Sequence, residues 1–335
     1  MSESYKQASK QRLDYLDAYK GVCILFIIFT HAGWSDQQRL RLFFPFWIDM
    51  AVPVFMVITG FVSAMSFSRK QYGLRQAYQP KAIMTKWLRF IIPFTPVFLA
   101  ELFAKIIILR ENVSLLQMAE LYITGAEGPG SYYFPVMLQV VLMFPLIWWC
   151  VSKYQLKGLL LCFSINVGFE ALKTILEMPV SIYRLCAFRY IFLLAYGSYL
   201  FSVHEREQKN SWAYYLAGVM GAVYIIGFNY YGLTPVFTEQ WKTTCVFAVL
   251  FIVPIMKLLV EHPSLNNRLL QTIGKASFNI FLTQMMYYAY GAPLLGRLHI
   301  PFLGQLIINY LMCCSLGVLF YIIESPFTKK VIKML

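Results

Sequence analysis

Charge is what this chain has least of. Asp, Glu, Lys and Arg make up 13% of the 335 residues while apolar types make up 59%, too little polar surface to cover a water-soluble domain of that size. Acidic residues are scarcer than basic ones, 16 against 29, and there are four histidines. No low-complexity tract and no polar segment long enough for a soluble domain interrupts the chain; the longest polar connections are residues 68–86 and 110–132. No internal repeat is evident, whereas inverted repeats are common in transporters. The cysteines, Cys23, Cys150, Cys162, Cys186, Cys245, Cys313 and Cys314, lie in or beside apolar runs. Their odd number and lack of metal-ligand spacing argue against a disulfide framework or a zinc site.

What the chain does have is apolar runs of spanning length. At about 20 residues per spanning helix, they predict an all-α polytopic integral membrane protein with about ten transmembrane helices. The runs lie near 15–34, 44–67, 87–109, 133–151, 158–176, 184–203, 212–231, 242–260, 270–290 and 303–323. Residues 1–335 read as a single membrane domain. With the N-terminus inside, seventeen of the 29 basic residues fall in inner segments and six (Arg39, Arg41, Arg110, Arg184, Lys242, Arg297) in outer ones. Basic residues favour the cytoplasmic side, so both termini are expected in the cytoplasm. The net charge of +13 then reflects topology and anionic lipid rather than nucleic acid. Lys6, Lys10 and Arg12 before the first run resemble a secretory leader, but no small-residue cleavage site follows and the run reads as a retained anchor.

That first run, "RLDYLDAYKGVCILFIIFTHAGW" at residues 12–34, carries Asp17, Lys20 and His31. At about 100° and 1.5 Å per residue, Lys20 and His31 share one helix face to within about 20° and stand about 16 Å apart along it, with Asp17 about 40° to the other side. Two readings are open. Asp17 and Lys20 serve as interfacial anchors, or the stripe lines a polar cavity, as intramembrane ionisable residues usually do.

The same stretch resembles the first helix of the membrane acyltransferase-3 family, in which a basic residue, ten intervening residues and a histidine form the signature; Lys20 and His31 have that spacing. "AVPVFMVITGF" (51–61) resembles the family's second helix, with Thr59 where Ser is commoner. "KWLRFIIPF" (86–94) resembles its third, with Lys86, Arg89 and Pro93 on the basic-basic-proline pattern. "GPGSYYFPVMLQVVLMFPL" (128–146) resembles the branch that includes sugar O-acetylases. "IGKASFNIFLTQ" (273–284) resembles a late helix that often ends in His, where this chain has Gln284, and "IESPF" (323–327) resembles a closing Glu-x-Pro element. The extracytoplasmic hydrolase-like domain of some relatives has no counterpart here.

The resemblance implies transfer of an acetyl group from acetyl-CoA to a hydroxyl of a cell-surface or lipid-linked carbohydrate, in a multi-pass protein of the cell membrane. A hydroxyl attacks well only once a base takes its proton, and His can do so at ordinary pH, so His31 is the candidate base. Asp49, near the start of the second helix, is a candidate to orient it, or else pairs with Arg39 or Arg41. Lys20, Lys86 and Arg89 are candidates for the CoA phosphates, with positive-inside anchoring as the other reading of the last two. Asp17, Tyr132, Tyr133, Gln139, Arg189, Gln284 and Glu324 are candidates to line the cavity or meet the acceptor, as are Arg184 and Lys275, with an interfacial belt as the other reading of the tyrosines and packing or helix-end roles as that of Arg184, Arg189, Lys275, Gln284 and Glu324. Glu101 with Lys105 and Glu170 with Lys173 read as neutralising pairs within helices. His204, His262 and His299 have no tie to the chemistry. No metal and no permanently bound cofactor is expected. The alternative is a transporter or flippase of a lipid-linked glycan, against which stands the lack of a coupling device.

Overall fold

A computed structural model of the chain describes residues 3–204, 212–234, 245–296, 298 and 300–335, and the side chains of these except at 3–13, 204 and 296. Among the described residues every regular element is helical. In chain order the α-helices are α1 (Glu3–Thr30), α2 (Asp36–Arg41), α3 (Ala51–Lys70), α4 (Leu74–Ala77), α5 (Pro80–Phe103), α6 (Leu115–Thr124), α7 (Tyr133–Tyr154) and α8 (Leu156–Ile175). There follow α9 (Val180–Leu185), α10 (Ile191–His204), α11 (Trp212–Tyr231), α12 (Ile252–Glu261), α13 (Arg268–Lys275), α14 (Ser277–Met286), α15 (Ala292–Gly296) and α16 (Phe302–Met334).

Among the described residues, six helical segments are long and apolar enough to cross a membrane: Phe44–Lys70, Pro80–Ile108, Tyr133–Tyr154, Leu156–Ile175, Trp212–Tyr231 and Phe302–Met334. They coincide with six of the expected runs, and the chain is an all-α polytopic membrane protein. The other four runs are less regular. Residues 15–34 form the second half of α1 and the turn after it. The run at 184–203 is broken where Cys186 turns to extended backbone, which separates α9 from the 3₁₀ turn Ala187–Tyr190 and α10. The run at 270–290 breaks at Ala276, between α13 and α14, and widens into a π turn at Tyr287–Gly291. Of 242–260, the described part forms a 3₁₀ turn at Ala248–Phe251 followed by α12. Arg206, Lys209, Lys242, Arg297 and His299 lie outside the described residues, as do the side chains of Lys6, Lys10, Arg12 and His204.

Helices in lipid gain little from burying apolar surface against one another, so close association depends on small residues that let backbones touch. Two such contacts are reciprocal. A Cβ on Gly274 of α13 would lie 1.7 Å from the carbonyl oxygen of Asp17, and one on Gly21 of α1 would lie 2.2 Å from that of Leu270. Likewise a Cβ on Gly60 of α3 would lie 2.2 Å from the Leu194 carbonyl oxygen, and one on Gly197 of α10 2.0 Å from that of Val57. Helix α10 is enclosed along most of its length, whereas α16 presents Leu311, Leu319, Ile322 and Ile323 outward, as a lipid-facing helix does.

Buried apolar side chains form two clusters. One gathers Met56, Ile58 and Phe61 with Met137, Phe144, Leu194 and Tyr196; the other gathers Ile24, Ile28 and Phe55 with Phe94, Ile280 and Phe281. Val52, Val54, Phe90 and Tyr133 pack against both. Polar groups of α1 and α3 face each other along this seam.

The α1–α13 contact has a direct test. Gly274→Val should lower the stability of the detergent-solubilised protein by about 1–3 kcal/mol, the usual range for overpacking a filled site. Gly168→Ala, on α8 where an added Cβ meets nothing within 4 Å, should leave it unchanged or slightly raised. Thermal unfolding followed by size-exclusion recovery compares the two.

Candidate active site

A cavity of about 520 Å³ occupies the seam, within the range of small-molecule sites. Helix α1 supplies Lys20, Ile24, Ile27 and Thr30, with His31 immediately after it; α3 and the turn before it supply Asp49, Phe55, Thr59 and Ser63. Phe90 of α5, Pro129, Gly130, Tyr132 and Tyr133 around the start of α7, Arg184 and Arg189, and Ser277, Phe278 and Phe281 of α14 complete the wall, together with Arg39 of α2. The stripe on the first helix is thus a cavity wall, with Lys20 towards one end and His31 towards the other.

At the Lys20 end, the ammonium donates to Asp17 Oδ1 at 2.8 Å across one helical turn. Asp17 itself does not line the cavity. At the other end, the His31 ring centre lies 5.7 Å from that of Tyr288, whose hydroxyl donates to the Ile28 carbonyl at 2.8 Å. No described side chain hydrogen-bonds either imidazole nitrogen. Arg39 closes this end. It donates to the Thr30 carbonyl at 3.3 Å and to Asp49 Oδ1 at 2.8 Å, so one guanidinium ties the end of α1 to the start of α3. It is also the charged neighbour acting on His31.

Asp49 therefore shares the cavity with His31, but its carboxylate is engaged by Arg39 rather than by the imidazole. Helix α2, started by a capping box at Ser35 and Gln38, brings Arg39 over the gap between α1 and α3, and a guanidinium offers a carboxylate a better donor than a neutral imidazole does. Arg39 entered the sequence reading as an outer basic residue and, with Arg41, as an alternative partner for Asp49; the structure selects Arg39.

The other expected site residues divide. Tyr132, Tyr133, Arg184 and Arg189 line the cavity. Lys86 and Arg89 do not: the Lys86 ammonium lies 4.1 Å from the Phe67 ring centre, and Arg89 is exposed. Helix α5 touches the cavity through Phe90, and its basic residues turn to either side of it. Gln139 is a strut, donating to the Leu185 carbonyl at 2.6 Å and accepting from the Ala187 N–H at 3.1 Å, which satisfies backbone freed by the break at Cys186. Glu324 accepts from Asn279 at 3.1 Å and from Thr328, joining α14 to α16. Gln284 is fully buried outside the cavity, and neither its Oε1 nor its Nε2 has a partner among the described residues. Lys275 is half exposed, 3.7 Å from Asp14.

The expected Glu101–Lys105 pair is rearranged, whereas the Lys173 charge does act on Glu170. Lys105 bridges Glu111 at 3.0 Å and Glu127 at 2.9 Å, while Glu101 accepts the Glu127 backbone N–H at 2.8 Å. The π turn Ala104–Ile108 begins beside Lys105 and changes the register on which i,i+4 pairing with Glu101 depends. Glu170 accepts from the Tyr183 hydroxyl at 2.6 Å, and the Lys173 ammonium lies 5.0 Å over the same ring.

The chain is thus an all-α membrane protein whose largely apolar internal cavity has a histidine at one end and a lysine at the other. The family model described as acyltransferase domain, Acyl_transf_3, matches residues 13–323. The chain belongs to the membrane acyltransferase-3 family and is a membrane acyltransferase. No curated protein and no solved structure matches it.

If Arg39 and Asp49 act as one clamp, their effects are coupled. Arg39→Ala, Asp49→Ala and the double variant should give a non-additive interaction energy of about 0.5–3 kcal/mol in a double-mutant cycle of thermal stability. Additive losses would mean that the two residues support different parts of the fold.

Proposed function

We propose that the protein moves an acetyl group from acetyl-CoA, bound from the cytoplasmic side, to a hydroxyl of a cell-surface or lipid-linked carbohydrate at the cell membrane. The observation that carries this reading is the placement of Lys20 and His31 on the wall of one cavity, about 16 Å apart by helix rise, a distance comparable to an extended pantetheine arm. The donor's phosphates then stay at the Lys20 end and the thioester reaches His31. Lys86 and Arg89, outside the cavity, meet at most the nucleotide. The wall between is largely apolar, with Ile24, Ile27, Phe55 and Phe90 beside the arm.

In the reaction, an imidazole nitrogen of His31 takes the proton of the acceptor hydroxyl while its oxygen attacks the thioester carbonyl carbon. The new C–O bond forms, the C–S bond breaks, and the thiolate leaves with a proton returned by the imidazolium. Arg39 stands at this end of the cavity, where a cation favours negative charge developing on the carbonyl oxygen. Asp49 acts through Arg39 by holding its guanidinium in place. Membership of an acyltransferase family favours this account over a transporter.

His31→Ala should lower transfer by the roughly 10² to 10⁴ typical of a lost acid-base group while acetyl-CoA still binds. Lys20→Gln should raise KM for acetyl-CoA more than for a short acetyl thioester lacking the nucleotide. Release of free thiol from purified protein, with acetylated saccharide measured by mass spectrometry, reads both. Near wild-type transfer by folded His31→Ala protein would sink the mechanism.

A further inference from the structure

Helix α1 ends at Thr30, and the last carbonyls of a helix have no partner within it. In a bilayer, protein must supply those partners. Three side chains do so here: the Tyr288 hydroxyl donates to the Ile28 carbonyl at 2.8 Å, Trp34 Nε1 to that of Phe29 at 2.8 Å and Arg39 to that of Thr30 at 3.3 Å. The Ile28 carbonyl carries a second bond. It also accepts the backbone N–H of His31 at 3.3 Å, so one oxygen joins the Tyr288 hydroxyl to the backbone on which the imidazole is mounted.

The imidazole itself has no hydrogen-bond partner among the described residues, and the charged groups at its end of the cavity, Arg39 and Asp49, are bonded to each other. Tyr288 stands against it, with ring centres 5.7 Å apart and planes tilted by 60°. An aromatic ring within about 6 Å of a cation attracts it. His31 becomes a cation only once it has taken the acceptor's proton, so this attraction is stronger during transfer than before it. That is the condition for raising kcat rather than affinity.

Tyr288 is in turn held in place. The π turn Tyr287–Gly291 sends consecutive tyrosines to different helices, Tyr287 donating to Asn309 Oδ1 of α16 at 2.7 Å and Tyr288 reaching α1. The two rings meet edge to face at 5.3 Å. Tyr288 does not line the cavity, so its effect passes through His31. We propose that Tyr288 is a positioning residue for the acyl transfer: its hydroxyl fixes the turn that carries His31, and its ring holds the imidazole and favours the imidazolium formed during the reaction. This rests on the reading of His31 as the base.

The test follows free thiol released from acetyl-CoA by the purified full-length protein, with water alone or maltotriose as acceptor. Tyr288→Phe, which keeps the ring and loses the hydroxyl, should lower kcat about 2- to 10-fold. Tyr288→Leu, which loses both, should lower it about 10- to 100-fold. KM for acetyl-CoA should change by less than about 2-fold in either variant. In a His31→Ala background, Tyr288→Leu should have no further effect, because no imidazole remains to be positioned. A wild-type kcat in Tyr288→Leu overturns the proposal, as does a rise in KM alone. The same fractional loss in the His31→Ala background also overturns it, since Tyr288 would then serve the fold. Should Tyr288→Leu fail to fold, Tyr288→Phe decides by the same comparisons. If His31→Ala releases thiol at the wild-type rate, the reading of His31 as base fails and this role with it; loss in His31→Ala but in neither Tyr288 variant overturns Tyr288 alone. No release by the wild-type protein overturns the acetyl-CoA reading on which both depend.

Discussion

The cavity exists because two pairs of helices touch backbone to backbone. Without a solvent to expel, helices in a bilayer come together only as closely as their side chains permit. Gly21 and Gly274 let α1 lie against α13, and Gly60 and Gly197 do the same for α3 and α10. Each contact spends the small residues on the outer side of α1 and α3. The inner sides, which carry Lys20, Thr59 and Ser63 and lead to His31, line the space left between them together with α14, and that space is the candidate site. Arg39 then spans the top of that space, bonding to the end of one helix and the start of the other. Close packing outside and a strap across the end keep a gap with charged ends open inside an apolar bundle.

Irregular backbone gathers around the same gap. Non-helical segments at membrane depth survive only where protein or a cavity satisfies their polar groups. The break at Cys186 brings Arg184 and Arg189 to the wall and is satisfied by Gln139; the break at Ala276 starts α14 with Ser277 facing the cavity. The four expected spans that depart from a simple long helix include those that carry these residues. Their irregularity follows from lining a site.

This explains which features were legible in the sequence. The long apolar helices were, because length and composition alone define them. The stripe of Lys20 and His31 was, because Lys20 sits on one regular helix and His31 in the turn directly after its last residue, so helix geometry still carries one to the other. What was not legible depends on chain turns or helix-helix register. Asp49 was read against His31 because both lie near the same end of neighbouring helices; a six-residue helix placed Arg39 between them. Lys86 and Arg89 share a family pattern with Pro93, yet Phe90 alone carries α5 into the cavity. Glu101 and Lys105 have ideal i,i+4 spacing, which a π turn undoes. Arg184 and Arg189 could be listed as candidates but not joined, since the turn between them determines whether they share a wall.

The remaining part of the wall is fixed by charges that never touch the cavity. Residues 125–130 read GAEGPG, with Gly125, Ala126, Gly128 and Gly130 all at positive φ, and Pro129 and Gly130 form lining. A Cβ at Gly128 would lie 2.7 Å from the Met285 carbonyl oxygen, so only glycine lets this loop settle against α14. Such a path costs backbone strain, most clearly at Ala126, and the loop needs an anchor. The buried carboxylate of Glu101 holds the Glu127 N–H, and Lys105 holds the Glu127 side chain. Since Glu101 and Lys105 belong to the continuous helical segment Pro80–Ile108 that also carries Phe90, one segment sets two parts of the wall at once. The cavity's shape is therefore coupled to an ion cluster outside it, where loosening the loop would move Pro129 and Tyr132 without altering Lys20, His31 or Arg39.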